Sequence, residues 1–284
     1  MNDSFTHLGT VTAPSGLLVF GMVTWLDYWP EVGRPLSERA REAAAAEGAR
    51  GGHLVEDAAE AVAVAVDGAR ALAVRARTAP SPFDEEPAIA VLEVELGVPW
   101  PAGREAPVLL GDLPVDRGGM ALGDAVGLDA WIGLEGEPAD GLADVSYWGR
   151  DMEEAHERFG GVRIPQYEGD GQGPYGWLDL PVEAADALAV EVAAYRGGVV
   201  SSADPHTDFH LLHRAGRTRP LGVGEIEVGG CPVLGFSWCQ GDHAVRHHGE
   251  RDWGRVYPVT LDRGADGGTV LRWSIPEWDE DEDD

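Results

Sequence analysis

The chain has 284 residues, 50 of them acidic and 21 basic, for a net charge of −29. A field of that sign repels nucleic acid and anionic membrane surfaces, so neither is an expected partner; a basic protein or a salty solvent is. A chain of this length buries enough surface to fold unaided, and its two cysteines, Cys231 and Cys239, match no disulfide framework or paired-thiolate metal motif and are expected as buried free thiols.

Glycine (39) and proline (19) are abundant, which points to many turns and short strands. Residues 8–24 read as two strands around a Pro14-Ser15-Gly16 turn. Ser37 is a good N-cap for a solvent-facing helix over 38–47, stopped by Gly48. Residues 60–77 read as a β-hairpin: small and large residues alternate in two arms, and Asp67-Gly68 between them suits a type I′ turn. A strand over Ala88–Leu96 follows. Asp124 is placed to cap a short helix reaching Trp131, Asp151 with Glu154 forms a capping box for a helix to Phe159, and Pro181 opens a helix to Tyr195. Strands are expected over 206–213, 223–229, 232–239, 255–262 and 269–275, and a disordered acidic tail over 277–284. The sum is one α+β domain over 1–276, β-rich with mostly antiparallel sheet and a few short helices; the alternative is a sub-boundary at the composition shift near 97–105.

Two blocks carry a family resemblance. Leu113-Pro114-Val115-Asp116-Arg117-Gly118-Gly119-Met120 leads to Asp124-Ala125, and Ser237-Trp238-Cys239-Gln240-Gly241-Asp242-His243 precedes Tyr257-Pro258-Val259. With the Pro14-Ser15-Gly16 turn, these resemble an uncharacterised bacterial family named domain of unknown function 4241. His243 stands where that family usually has Gly. The resemblance implies a β-rich α+β fold and a bacterial origin, and brings no activity with it.

Two clusters are candidates for function. The first is Asp204-Pro205-His206-Thr207-Asp208-Phe209-His210. On a strand, His206 and Asp208, or Asp208 and His210, share a face about 6.6 Å apart and can grip one ion. Asp242 and His243, with His247 and His248 beyond, offer further ligands if the two strands pair. His and Asp together suit zinc, iron or manganese, so a divalent transition metal is the cofactor of this reading, and a metal-dependent hydrolase its activity. The competing reading makes these residues polar features of an edge strand and has no cofactor.

The second cluster is Trp25, Asp27, Tyr28, Trp29 and Glu31, expected as an exposed aromatic patch among acids. Aromatic anchors ringed by acids suit a basic protein partner. No catalytic motif competes: Gly235-Phe236-Ser237-Trp238-Cys239 lacks the second Gly of a nucleophile elbow, and the glycine loop at 169–176 lacks the Lys of a phosphate-binding loop. The expectation is a non-catalytic binding protein of the immunity or antitoxin type. All 21 basic residues are Arg, a codon-usage signature of a GC-rich gene, yet removing the seven acids of the last eight residues still leaves −22. The acidity therefore belongs to the body of the protein, serving a cationic partner or a high-salt solvent. The apolar run Gly16–Val23 is short and follows no basic residue, so no signal peptide is expected and a cytoplasmic location is.

Overall fold

The apolar runs fold as strands, and every pairing among the described residues is antiparallel. The computed structural model describes residues 5–29, 33–45, 50–56, 59–80, 87–114, 119–133, 136, 138, 140–149, 152–164, 175–195, 199–216, 219–236 and 256–274. Glu31, Gly48, Asp151, the 169–174 loop, Cys239, Asp242, His243, His247, His248 and the acidic tail lie outside them.

Strands β1 (Thr6–Thr12) and β2 (Leu17–Met22) flank the Pro14-Ser15-Gly16 turn and lead into helices α1 (Val23–Tyr28) and α2 (Leu36–Ala45). Next come β3 (Gly51–Glu56), β4 (Ala59–Ala65), β5 (Ala71–Pro80), β6 (Pro87–Pro99), β7 (Val108–Pro114) and β8 (Met120–Asp124). Asp124 caps a single 3₁₀ turn, Gly127–Ala130, its Oδ1 accepting from the N–H groups of Val126 and Gly127. The middle of the chain holds β9 (Leu142–Gly149), α3 (Met152–Phe159), β10 (Val162–Ile164), β11 (Tyr175–Pro181), α4 (Val182–Ala193) and β12 (Val199–Pro205). Helix α5 (Asp208–Gly216) precedes β13 (Val223–Val228), β14 (Cys231–Phe236), β15 (Val256–Arg263) and β16 (Gly268–Ser274). The architecture is β-rich α+β.

Contacts divide the chain into two compact units, residues 1–131 with 212–284, and residues 132–211. The composition shift near 97–105 falls within the first unit, at the end of β6 and the turn after it.

The first unit holds two six-stranded sheets, β1-β5-β6-β16-β15-β7 and β13-β14-β8-β2-β4-β3. Phe20 of β2 meets Trp273 of β16 edge-on at 5.9 Å, and both are about 1 % exposed, so the two inner faces share one core. A hairpin over 60–77 does not form. β4 pairs with β2 and β3 in one sheet, while β5 pairs with β1 and β6 in the other. Neither Asp67 nor Gly68 has the positive φ a type I′ turn demands. Asp67 instead donates its N–H to Leu96 O at 3.2 Å, and the segment arches from sheet to sheet. Val62, Ala63 and Val64 are all buried, as a strand covered on both faces requires. A hairpin with two positive-φ glycines at its turn does form at Gly229-Gly230, joining β13 to β14.

Helix α2 is amphipathic, not wholly solvent-facing. Leu36 and Ala40 are fully buried, and Arg34, Glu38 and Glu42 pair on the outer side. Its first turn is capped from a distance: the Asp129 carboxylate accepts from both the N–H and the hydroxyl of Ser37, at 2.9 and 2.6 Å. Cys231 is a buried free thiol, and burial, then the charges of Asp124 and Glu227, push it above the usual thiol range, so it stays protonated.

In the second unit, the sheet β10-β11-β9-β12 carries α3 and α4 on one face. Ala143, Val145 and Tyr147 of β9 point to that face and pack with Ala155 of α3 and with Ala185 and Val192 of α4. The period of two sends Asp144 and Ser146 to the other face. No helix among the described residues is long and apolar enough to cross a membrane.

Candidate functional site

The expected aromatic patch is interior. The segment after β2 winds into α1, and Trp25, Asp27 and Trp29 are 2, 3 and 5 % exposed. The two indoles lie 4.8 Å apart, Trp29 Nε1 donates to Arg34 O at 3.0 Å, and Trp131 Nε1 donates to Asp27 Oδ1 at 2.9 Å. These three side chains hold the core together and offer a partner no surface. Tyr28 ends the helix, and Glu31 is outside the described residues. The pattern Trp-Leu-Asp-Tyr-Trp read as a loop because its acids broke the apolar run; in the helix, Trp25, Leu26 and Trp29 share the inward face.

The second candidate cluster is also rearranged. Residues 206–213 are not a strand. β12 ends at Pro205, and α5 starts at Asp208, so His206 and Asp208 do not share a strand face. Asp208 instead anchors the start of α5: its Oδ2 accepts from the Ile132 N–H at 2.6 Å, and its own N–H donates to Ile132 O at 3.2 Å. Burial raises its carboxyl above the usual range, and the Ile132 bond only partly opposes that. His210 Nδ1 lies 2.9 Å from the hydroxyl of Thr207 within the first turn. Asp242 and His243 lie outside the described residues.

His206 has a different role from the one its spacing suggested. It is 1 % exposed and held between two carboxylates, with Nδ1 3.0 Å from Asp140 Oδ2 and Nε2 3.1 Å from Asp179 Oδ1. Which ring nitrogen carries a proton decides which carboxylate accepts from it. Its backbone N–H donates to Leu142 O at 2.9 Å, fixing the ring beside the end of β9. Partial burial alone would raise the Asp140 carboxyl; the His206 bond, the Leu142 N–H and the His206 charge together hold it below the usual carboxylate range.

Register extends this group across the sheet. Asp144 of β9 stands opposite Asp179 of β11 on one side and opposite Asp204 of β12 on the other. Asp144 and Asp179 thus stand side by side on the face away from the helices. Asp144 is 2 % exposed, and its Oδ1 accepts from the Ser146 hydroxyl at 3.1 Å. The sequence reading found His206 and missed Asp140, Asp144 and Asp179. The alternation Ala143-Asp144-Val145-Ser146-Tyr147 carried a local signal for Asp144. Nothing local could bring Asp179 and Asp140 to His206, because those contacts span 27 and 66 residues. Among the described residues, no group of three His, Cys, Asp or Glu side chains is arranged to hold a metal ion. The arrangement ties the end of β12 to Asp140 and Asp179, and among the described residues no hydroxyl or thiol bonds to the imidazole.

Fold and cluster together define an antiparallel α+β protein of two units, the smaller one built around a carboxylate–imidazole group. No family model, curated protein or solved structure matches the chain.

Proposed function

We propose that this is a non-catalytic, cytoplasmic binding protein for a basic protein partner, of the immunity or antitoxin type, and that it docks through the α3–α4 surface of the second unit. The observation that carries the reading is where the charge lies. Residues 132–211 hold 16 acids and four arginines, −12 of the total −29, whereas everything outside this unit and the last eight residues contributes only −10. Glu154 and Glu157 on α3, and Glu183, Asp186 and Glu191 on α4, are all exposed. Arg158 pairs with Glu191 at 3.0 Å and covers Phe159 and Tyr195, so this cation is already engaged. Val190, 71 % exposed, supplies an apolar contact among the acids. An apolar centre with an acidic surround steers and then holds a basic surface, and the same field disfavours nucleic acid and anionic membranes. The likeness to domain of unknown function 4241 belongs to this reading and adds no activity to it.

The test compares the wild-type chain with Glu154→Gln, Glu157→Gln, Glu183→Gln and Asp186→Asn combined, each immobilised and exposed to lysate of the native host. The expected result is a basic protein retained by the wild type, released by raised salt and held at least about tenfold more weakly by the variant. Retention of no basic protein, or retention unchanged by the four substitutions, overturns the proposal.

The second reading is a metal-dependent hydrolase, for which Asp144 and Asp179, opposite each other on β9 and β11, would supply ligands. It differs from the sequence expectation in its ligands, because both nitrogens of His206 are taken by carboxylates. Stoichiometric metal in the purified protein, lost with Asp144→Asn, supports it; no stoichiometric metal, with stability unchanged by a chelator, counts against it.

A further inference from the structure

The first unit contains a cleft of about 1060 Å³ whose lining has the opposite charge balance from the protein as a whole. The chain leaves β6 at Pro99 and reaches β7 at Val108, and the connection runs past the ends of β16 and β15, the two strands between them in the sheet. Trp100 N–H donates to Gly267 O at 3.2 Å and fixes the start of this connection; Trp100 Nε1 donates to Arg104 O at 2.7 Å and folds it back on itself. The cleft is lined by this connection with Arg50, Leu261 and Thr269.

Two arginines face the cleft against one acid, Glu105, in a protein carrying −29. Arg50 donates to Pro99 O at 2.9 Å, which positions its guanidinium without neutralising it. Neither Arg50 nor Arg104 has a carboxylate partner among the described residues, whereas Arg75 and Arg272 of the same unit are held in ion pairs. Trp100, half-buried, and Leu109, 58 % exposed, add apolar surface beside them.

The second observation is independent of charge. Thr269 lines the cleft, is 2 % exposed, and its Oγ1 has no hydrogen-bond partner. It sits where the pairing of β16 with β6 slips, between Gly268 and Val270. Bulges re-aim side chains next to ligand sites. A buried hydroxyl without a partner carries a desolvation cost that a ligand oxygen would relieve.

We infer that this cleft binds a small organic oxyanion, its carboxylate or phosphate held by Arg50 and Arg104, its flat apolar body against Trp100, and a polar atom on the Thr269 hydroxyl. The guanidinium fork matches the geometry of both head groups. The site is independent of the acidic docking surface and stands or falls separately from it.

The test is calorimetric titration of the full chain with phenyl phosphate and with benzoate, which separate the two head groups, and with phenol as the uncharged control. Saturable binding of phenyl phosphate or benzoate, none of phenol, and at least about tenfold weakening by Arg104→Ala and by Arg50→Ala are expected. Thr269→Val should weaken binding a further few-fold while leaving the unliganded protein as stable as the wild type or more so, because its hydroxyl gives up no protein hydrogen bond. Arg104 is exposed, so its truncation tests binding without threatening the fold. Absence of saturable binding by both anions, binding indifferent to both arginine substitutions, or an unchanged affinity in Thr269→Val overturns the inference.

Discussion

Replacing His206 tests the second unit where its polar network is most concentrated. His206→Ala removes both hydrogen bonds to carboxylates and the ring itself. A hydrogen bond to a charged group contributes about 1.5–3 kcal/mol when buried. Asp140 and Asp179 are 43 and 23 % exposed, so solvent recovers part of each loss and about 1 kcal/mol per bond is the fair figure. The ring is 1 % exposed, and the space it leaves adds about 1–2 kcal/mol. The total is about 3–4 kcal/mol. Asn keeps a donor near the Nδ1 position and Gln one near Nε2, so each should cost roughly half as much. Urea unfolding at neutral pH, followed by far-UV circular dichroism, reads the series. The same variants carry a pH signature. Asp140 titrates lower in the folded chain than unfolded, so its contribution is present above the unfolded value, about 4, and is lost as pH falls through the folded value. His206→Ala should flatten that acid limb. A stability for His206→Ala within about 0.5 kcal/mol of wild type, or Asn and Gln variants as damaged as Ala, would refute this account of the network.

Two further outcomes probe buried charge. Glu93 is 2 % exposed and bridges Arg75 and Arg272 from the strands on either side, through contacts of 2.9–3.0 Å to the first and 2.5–2.9 Å to the second. Glu93→Gln turns an amide NH₂ toward one guanidinium; with those arginines 31 and 40 % exposed, a loss of about 2 kcal/mol is expected, read as a melting temperature lower by about 4–8 °C. Asp208 has the opposite sign: its folded-state pKa is raised, so its contribution is full below the unfolded value and lost as pH rises through the folded one. Asp208→Asn keeps an oxygen for the Ile132 N–H without the charge. The variant should match or exceed wild-type stability at pH 7 and lose the wild type's decline above pH about 4; destabilisation beyond about 1 kcal/mol at pH 7 would rule this out.

Local signals carried most of the strands, because alternation and glycine turns are written over a few residues. The helix starts near Asp124 and Pro181 follow the same logic. The errors share a cause: they depended on what lay across the molecule. Asp67-Gly68 is a good hairpin dipeptide, yet β4 and β5 bury both or one of their faces against different sheets, and that burial outweighs turn preference. Asp204 through His213 alternates like a strand, but Pro205 ends β12, and Asp208, stapled to Ile132, starts a helix instead. Trp25 and Trp29 looked exposed because acids flank them; Asp27 is buried with them, and its partner Trp131 lies 104 residues away. The candidate cluster was half legible for the same reason, since His206 was visible in the sequence and its two carboxylates were not.

A docking role and general salt adaptation imply different distributions of charge. Acids that only keep a protein soluble in brine do their work anywhere on the surface, so they should be spread in proportion to it. Here an 80-residue unit carries −12, and its helices α3 and α4 present five exposed carboxylates with Arg158 tied to one of them. Such crowding costs stability through self-repulsion. On the docking proposal, a cationic surface that binds there relieves the repulsion. On that proposal, neutralising Glu154, Glu157, Glu183 and Asp186 should do two opposite things at low salt: raise the unfolding midpoint and weaken binding of the proposed basic partner at least about tenfold. Raised salt should shrink the first effect, because screening already removes most of the repulsion between exposed charges. Charges selected only for salt tolerance would give the stability change without the binding change. An unaltered midpoint at low salt would mean that the five carboxylates do not repel one another enough to need a partner at all.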